Sequence, residues 1–159
     1  MSIYHDSELI EQVVTSTPLL DTQDFHVVKD EKQNPMVFSI GTKGILYLIK
    51  QDELGRNKLI NLSEKLNIPA EHEATALGVY QDNDLTLNLA FAHGEPKGRS
   101  QLIVLRQLRP EALNQDLDTL QDNAVVAQDD TIQGQIYGLL LVSAPCACPC
   151  LHRLVLTVT

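Results

Sequence analysis

Short apolar runs separated by clusters of turn-forming residues dominate the pattern along the chain. From Met36 the order is Met-Val-Phe-Ser-Ile, the tetrad Gly41-Thr-Lys-Gly44, the run Ile45-Leu-Tyr-Leu-Ile49, the polar turn Gln51 to Asn57, and Lys58-Leu-Ile-Asn-Leu62. That grammar predicts strand, tight turn, strand, turn, strand, with Gly41 and Gly44 supplying the positive dihedral angles of a short hairpin. Ile45 to Ile49 is apolar at successive positions, so the sheet is expected to be covered on both faces.

The grammar returns some forty residues on. Ala76-Leu-Gly-Val-Tyr80 is followed by the turn Gln81-Asp-Asn-Asp84, the strand Leu85 to Phe91, the longer turn His93 to Arg99, and Gln101-Leu-Ile-Val-Leu105. A third copy opens at Asn123-Ala-Val-Val-Ala-Gln128 and continues, after Gly134, as Gln135-Ile-Tyr-Gly-Leu-Leu-Leu141. Phe25-His-Val-Val28 reads as a strand leading into the first copy. Three segments carry helical spacing: Leu62 to Leu66, ending before Pro69; Pro110 to Leu120, with Leu113, Leu117 and Leu120 on one face; and an N-terminal stretch, Asp6 to Val14, capped by Asp6 or Ser7. A strand competes with the helix over Leu9 to Thr15, where β-branched residues gather.

Repeats of 40 to 50 residues with several short strands each are the signature of propeller blades. The run Gly41-Thr-Lys-Gly-Ile-Leu-Tyr-Leu-Ile49 resembles the strand-turn-strand of bladed β-propeller proteins, including sugar-binding ones of the tachylectin and fungal fucose-lectin kind, and the resemblance extends over about residues 25 to 142. It implies a mainly β fold of two to three propeller-like blades of antiparallel strands, an incomplete propeller with a short N-terminal helix. It implies carbohydrate as one class of ligand. The expected organisation is an N-terminal helix and linker over 1–24, blade-like repeats over 25–74, 75–122 and 123–142, and an apolar cysteine-containing tail over 143–159. A propeller closes with about four to eight blades, so the chain is expected to be a piece of a longer propeller, with the sequence from about Val142 onward foreign to it.

Composition narrows the partners. With 12 Lys and Arg against 21 Asp and Glu, the net charge of −9 repels phosphate backbones and anionic membrane surfaces. No basic start followed by an apolar run marks Met1 to Glu8 as a signal peptide, which makes the cytoplasm the default location. Catalytic signatures are not found: no Gly-x-Ser-x-Gly elbow, no phosphate loop, no His-Glu-x-x-His. No cofactor is implied. Asp82 and Asp84, two apart, could donate oxygens to calcium, although a solvated turn explains them more simply. Tyr80 could present its hydroxyl to a ligand, and His93 opens a turn. Glu71-His-Glu73 places an imidazole between carboxylates, one route to a general base, in what reads as an exposed loop.

Cys146, Cys148 and Cys150 lie within five positions and, with His152, offer soft ligands to zinc or copper(I). A single zinc usually draws on two separated clusters, and only one is present. From Thr131 to Thr159 the sole charged residue is Arg153, so a membrane tail anchor and a broken third repeat are the competing readings. The function expected from the residues is a non-catalytic binding or scaffold module with a glycan or protein partner. The alternatives are part of a propeller-type hydrolase and an interaction module that self-associates through open strand edges.

Overall fold

In a computed structural model the described residues are 2–5, 8–12, 22, 24–114, 125–129, 136–143 and 152–158. Their architecture is mainly β, with little helix. Two four-stranded antiparallel sheets carry the core. The first is formed by β3 (Asp24–Lys29), β4 (Pro35–Ile40), β5 (Leu46–Gln51) and β6 (Asn57–Asn61), and the second by β7 (Glu73–Gln81), β8 (Leu87–Gly94), β9 (Gln101–Leu108) and β10 (Val125–Asp129). Both are meanders in which sequence neighbours pair, and neither closes on itself. Two further hairpins complete the described strands: β1 (Ser2–His5) with β2 (Glu8–Gln12), and β11 (Ile136–Ser143) with β12 (His152–Val158).

Three hairpins turn in the same way, and each does so through an aspartate. Asp30–Asn34, Asp52–Arg56 and Asp82–Thr86 each close with the first N–H donating to the fifth carbonyl and the fourth N–H to the first. The fourth residue is left-handed in all three: Gln33 (φ 66°), Gly55 (φ 73°) and Leu85 (φ 68°). Carboxylates hold the loop from inside. Asp30 Oδ1 accepts from the N–H groups of Lys32 and Asn34 at 2.8 and 2.7 Å, and Asp52 Oδ1 from those of Leu54 and Arg56 at 2.9 Å each. The β4–β5 connection differs, since Lys43 (φ 59°) and Gly44 (φ 63°) are its left-handed pair. Gly41, expected to be one of them, is extended at φ −102°.

The sheets pack face to face. Phe38, Ile40, Leu46 and Leu48 of the first meet Leu77, Leu87, Leu89, Phe91 and Leu105 of the second in one apolar layer. Each is 2 % exposed or less, and each fully buried side chain of this size is worth roughly 1.5–3 kcal/mol of transfer free energy. The opposite face of the second sheet, Ala76, Ala90, Ala92, Leu102 and Val104, lies under Ile136 of β11. With both faces covered, all eight residues of β8 are buried. On the outer face of the first sheet Val37, Tyr47 and Ile49 are buried, whereas Phe25, Val27 and Leu59, in the same cross-strand rows, are exposed.

Two helical expectations separate. Residues 62–66 do form a turn of helix, α1 (Leu62–Lys65), with Asn61 capping the Glu64 N–H at 3.1 Å and Leu62 and Leu66 buried. The segment from Pro110 is a 3-10 turn, Pro110–Asn114, and residues 115–120 lie outside the described set. The N-terminal helix is corrected: Glu8–Gln12 is a strand paired with Ser2–His5. An isolated helix of nine residues is marginal in water, while the hairpin satisfies the same backbone groups across a short connection. Val125–Asp129, placed by the repeat pattern at the opening of a third copy, pairs with β9 as the last strand of the second sheet. In the same way, the strand at Met36 that starts the first copy is the second strand of its sheet, and Asp24–Lys29 is the first.

Candidate functional site

The β7–β8 hairpin carries the residues singled out for chemistry, but at its two ends. Near the turn, Asp82 Oδ2 accepts from Asn88 Nδ2 at 3.2 Å and Asp84 Oδ1 from the Thr86 N–H at 3.0 Å. The hydrogen bond with the Thr86 side chain, followed by that with its N–H, holds the Asp84 carboxyl below the usual carboxylate range. Both acids are members of the turn they close. Tyr80 sits beside them, opposite Asn88, and packs against the alanine layer of the second sheet.

His93 stands at the far end of β8, roughly 20 Å away at about 3.3 Å per residue. It is a strand residue rather than the start of a turn, and only 2 % exposed. His72 meets it there. The two Nδ1 atoms are 2.9 Å apart and the ring centroids 5.1 Å. The centroid separation exceeds the N···N distance by nearly the radii of both rings, so the nitrogens point head-on at each other. That is the geometry of an N–H···N hydrogen bond, one ring donating and the other accepting. Two lone pairs converging on a shared metal would instead be directed to a common point to one side. His93 Nε2 is buried without a hydrogen-bond partner among the described residues, Phe91 packs on the ring with centroids 5.9 Å apart, and burial, then His72, pushes the imidazole down to about 4.

The pair lay hidden in the sequence for a geometric reason. The turn Asp82–Thr86 pairs Leu77 with Phe91, a register that carried onward would set position 75 opposite His93. A bulge at Thr75 moves Ala74 there instead and draws His72 toward the same end. His72, expected in an exposed loop between two glutamates, is half-buried, with Glu71 exposed beside it. Bulges leave no signature in the alternation of apolar residues. The Thr75 side chain, freed from the ladder, donates to the Ile136 carbonyl, and the Ile136 N–H donates to Ser100 Oγ at 3.0 Å.

A second concavity opens at the turn end of the first sheet, where a cleft of about 270 Å³ lies between the Asp30 and Asp52 turns and Pro110. Its wall includes Asp30, Asn34, Lys50, Asp52, Glu53 and Lys58. Lys50 and Lys58 are directly cross-strand, and Lys50 Nζ also donates to the Leu113 carbonyl at 2.9 Å. Burial first, and Lys58 second, lower the Lys50 ammonium below its ordinary value. Amine, carboxylate and amide side chains thus share the wall of one polar hollow.

Cys146, Cys148 and Cys150 lie outside the described residues, and of His152 only its strand position is described. Among the described residues no group of three or more His, Cys, Asp and Glu could hold a metal ion, and no helix is long and apolar enough to cross a membrane. No family model matches the chain, and no curated protein and no solved structure matches it.

Proposed function

We propose that the chain is a non-catalytic binding module built from propeller-type blades, taking a polar, hydroxyl-rich ligand of the carbohydrate class in the cleft between the Asp30 and Asp52 turns. The cleft carries the reading. Its wall includes residues with hydrogen-bond donors, Lys50, Lys58 and Asn34, and with acceptors, Asp30, Asp52 and Glu53, as a ligand bearing many hydroxyls requires. The blade reading draws support from the leading strands. Gln81 of β7 bonds both backbone groups of Lys29 on β3, at 2.7 and 3.0 Å, and His26 of β3 donates to the Leu77 carbonyl of β7 at 3.0 Å. Thr75 of β7 then reaches Ile136 of β11. First strands linked in succession are what blades arranged around an axis need.

A glycan array probed with the purified chain, and with Glu53→Ala and Lys58→Ala, tests it. Both side chains are on the cleft wall and both residues are exposed, so the variants should fold. Binding by the wild type that falls at least tenfold in both variants is the expected result. An array without a hit ends the carbohydrate reading.

A further inference from the structure

We propose that the His72–His93 pair is a proton-controlled latch that holds the connection between the two sheets closed near neutral pH and releases it when both rings are protonated. The geometry allows one shared proton and no more. With both imidazoles neutral, one N–H donates to the facing lone pair; with a single added proton the bond becomes charge-assisted and shorter in preference. A second proton leaves two N–H groups aimed at each other across 2.9 Å, with no acceptor between them and two like charges in contact. One of those charges would sit on a ring that is 2 % exposed and packed against Phe91.

Other charged groups flank the pair. Glu73 lies next to His72 on β7, with its Cβ turned against Gly44 of the first sheet, beside exposed Lys43; exposed Glu71 precedes it, and exposed Glu95, Lys97 and Arg99 form the β8–β9 connection. Across β8, His93 pairs with Gln101 of β9 and Ala74 of β7, neither of which titrates. Burial, and then His72, lower the His93 imidazole.

The location gives the device its output. His72 ends the connector that runs from α1 to β7 and so joins the first sheet to the second, with the backbone of His72 bonded to the Pro69 carbonyl. Three residues on is Thr75, whose side chain holds β11. Separation of the rings frees this connector while the apolar layer between the sheets stays in place.

Hydrogen exchange read by mass spectrometry at pH 7 and pH 4, corrected for intrinsic rates, tests the latch on the intact chain. Peptides covering 66–76 should gain at least tenfold in exchange at pH 4, those covering 36–49 should not, and His72→Gln, which offers His93 an acceptor that cannot charge, should abolish the gain. Equal gains in wild type and variant, or a gain spread over all peptides, overturn the proposal. Should the variant fail to fold, the imidazole proton resonances of the wild type decide: two coupled steps support the latch, and two independent titrations near the ordinary histidine value overturn it.

Discussion

His93 is a neutral base held where water does not reach. Its folded value of about 4 lies below the ordinary 6.5, so the unfolded chain takes up the proton more readily. Stability from this residue is complete above pH 6.5 and is lost as pH falls from 6.5 toward 4, by up to about 3 kcal/mol at roughly 1.4 kcal/mol for each pH unit separating the two values. Urea unfolding at pH 7.5 and pH 4.5 measures the loss, and His93→Leu should reduce it. Nothing in the sequence around Ala92-His-Gly94 announces this burial. The strand was legible from its apolar run, but a histidine in the last turn of such a run is ordinarily solvated, and only the two covered faces of β8 make it a core residue. Asp82 and Asp84 show the reverse. Their composition and spacing suggested a turn or a cation site, and their hydrogen bonds are those of the turn.

At the scale of elements, the three aspartate turns define how this chain makes a hairpin. Asp30-Glu-Lys-Gln-Asn34, Asp52-Glu-Leu-Gly-Arg56 and Asp82-Asn-Asp-Leu-Thr86 share only their first residue; in the first two its carboxylate accepts from backbone N–H groups, in the third Asp84 accepts from the Thr86 N–H, and the left-handed fourth position is set by the turn. Glycine occupies that position once. A Cβ added at Gly55 meets nothing within 4 Å, so Gly55→Ala isolates the backbone term and should cost about 1 kcal/mol in thermal or urea unfolding. The strands themselves were legible from alternation and turn residues. Their grouping was legible in part: the expected repeat over 25–74 takes in the four strands of the first sheet, whereas Val125–Asp129, assigned to a third copy, is the last strand of the second. The N-terminal segment was misread. Leu9, Ile10, Val13 and Val14 fit a helical stripe, but over so few residues they fit a hairpin strand as well, and backbone pairing with Ser2–His5 decided between them.

Among the described residues the two four-stranded sheets and β11 form a stack, joined by apolar layers and a few polar clasps. One clasp is at Ile136, buried completely, with both backbone groups taken by the side chains of Thr75 on β7 and Ser100 just before β9. Removing one partner leaves a buried backbone group unsatisfied at roughly 1–3 kcal/mol. Ser100→Ala and Thr75→Val should each destabilise by that amount in urea unfolding, and the two together by a different amount from their sum, because they hold the same residue. Neither bond could be read from sequence, since they join positions 36 and 61 residues apart, the second from the bulge at Thr75. The mainly β character of the stack was legible; which faces meet was not, because Ala76, Ala90 and Ala92 mark a close approach only once the register is known.

Meander connectivity also sets how such a molecule can grow. Each four-stranded sheet pairs only strands of its own stretch of chain, so its ladder hydrogen bonds do not depend on which sheet comes before or after. Duplication of one stretch adds a layer without rethreading the others, and a break in a connector leaves every ladder intact. Circular permutation at the α1–β7 connector would for this reason preserve both sheets while cutting the covalent link whose β7 end the histidine pair pins to β8.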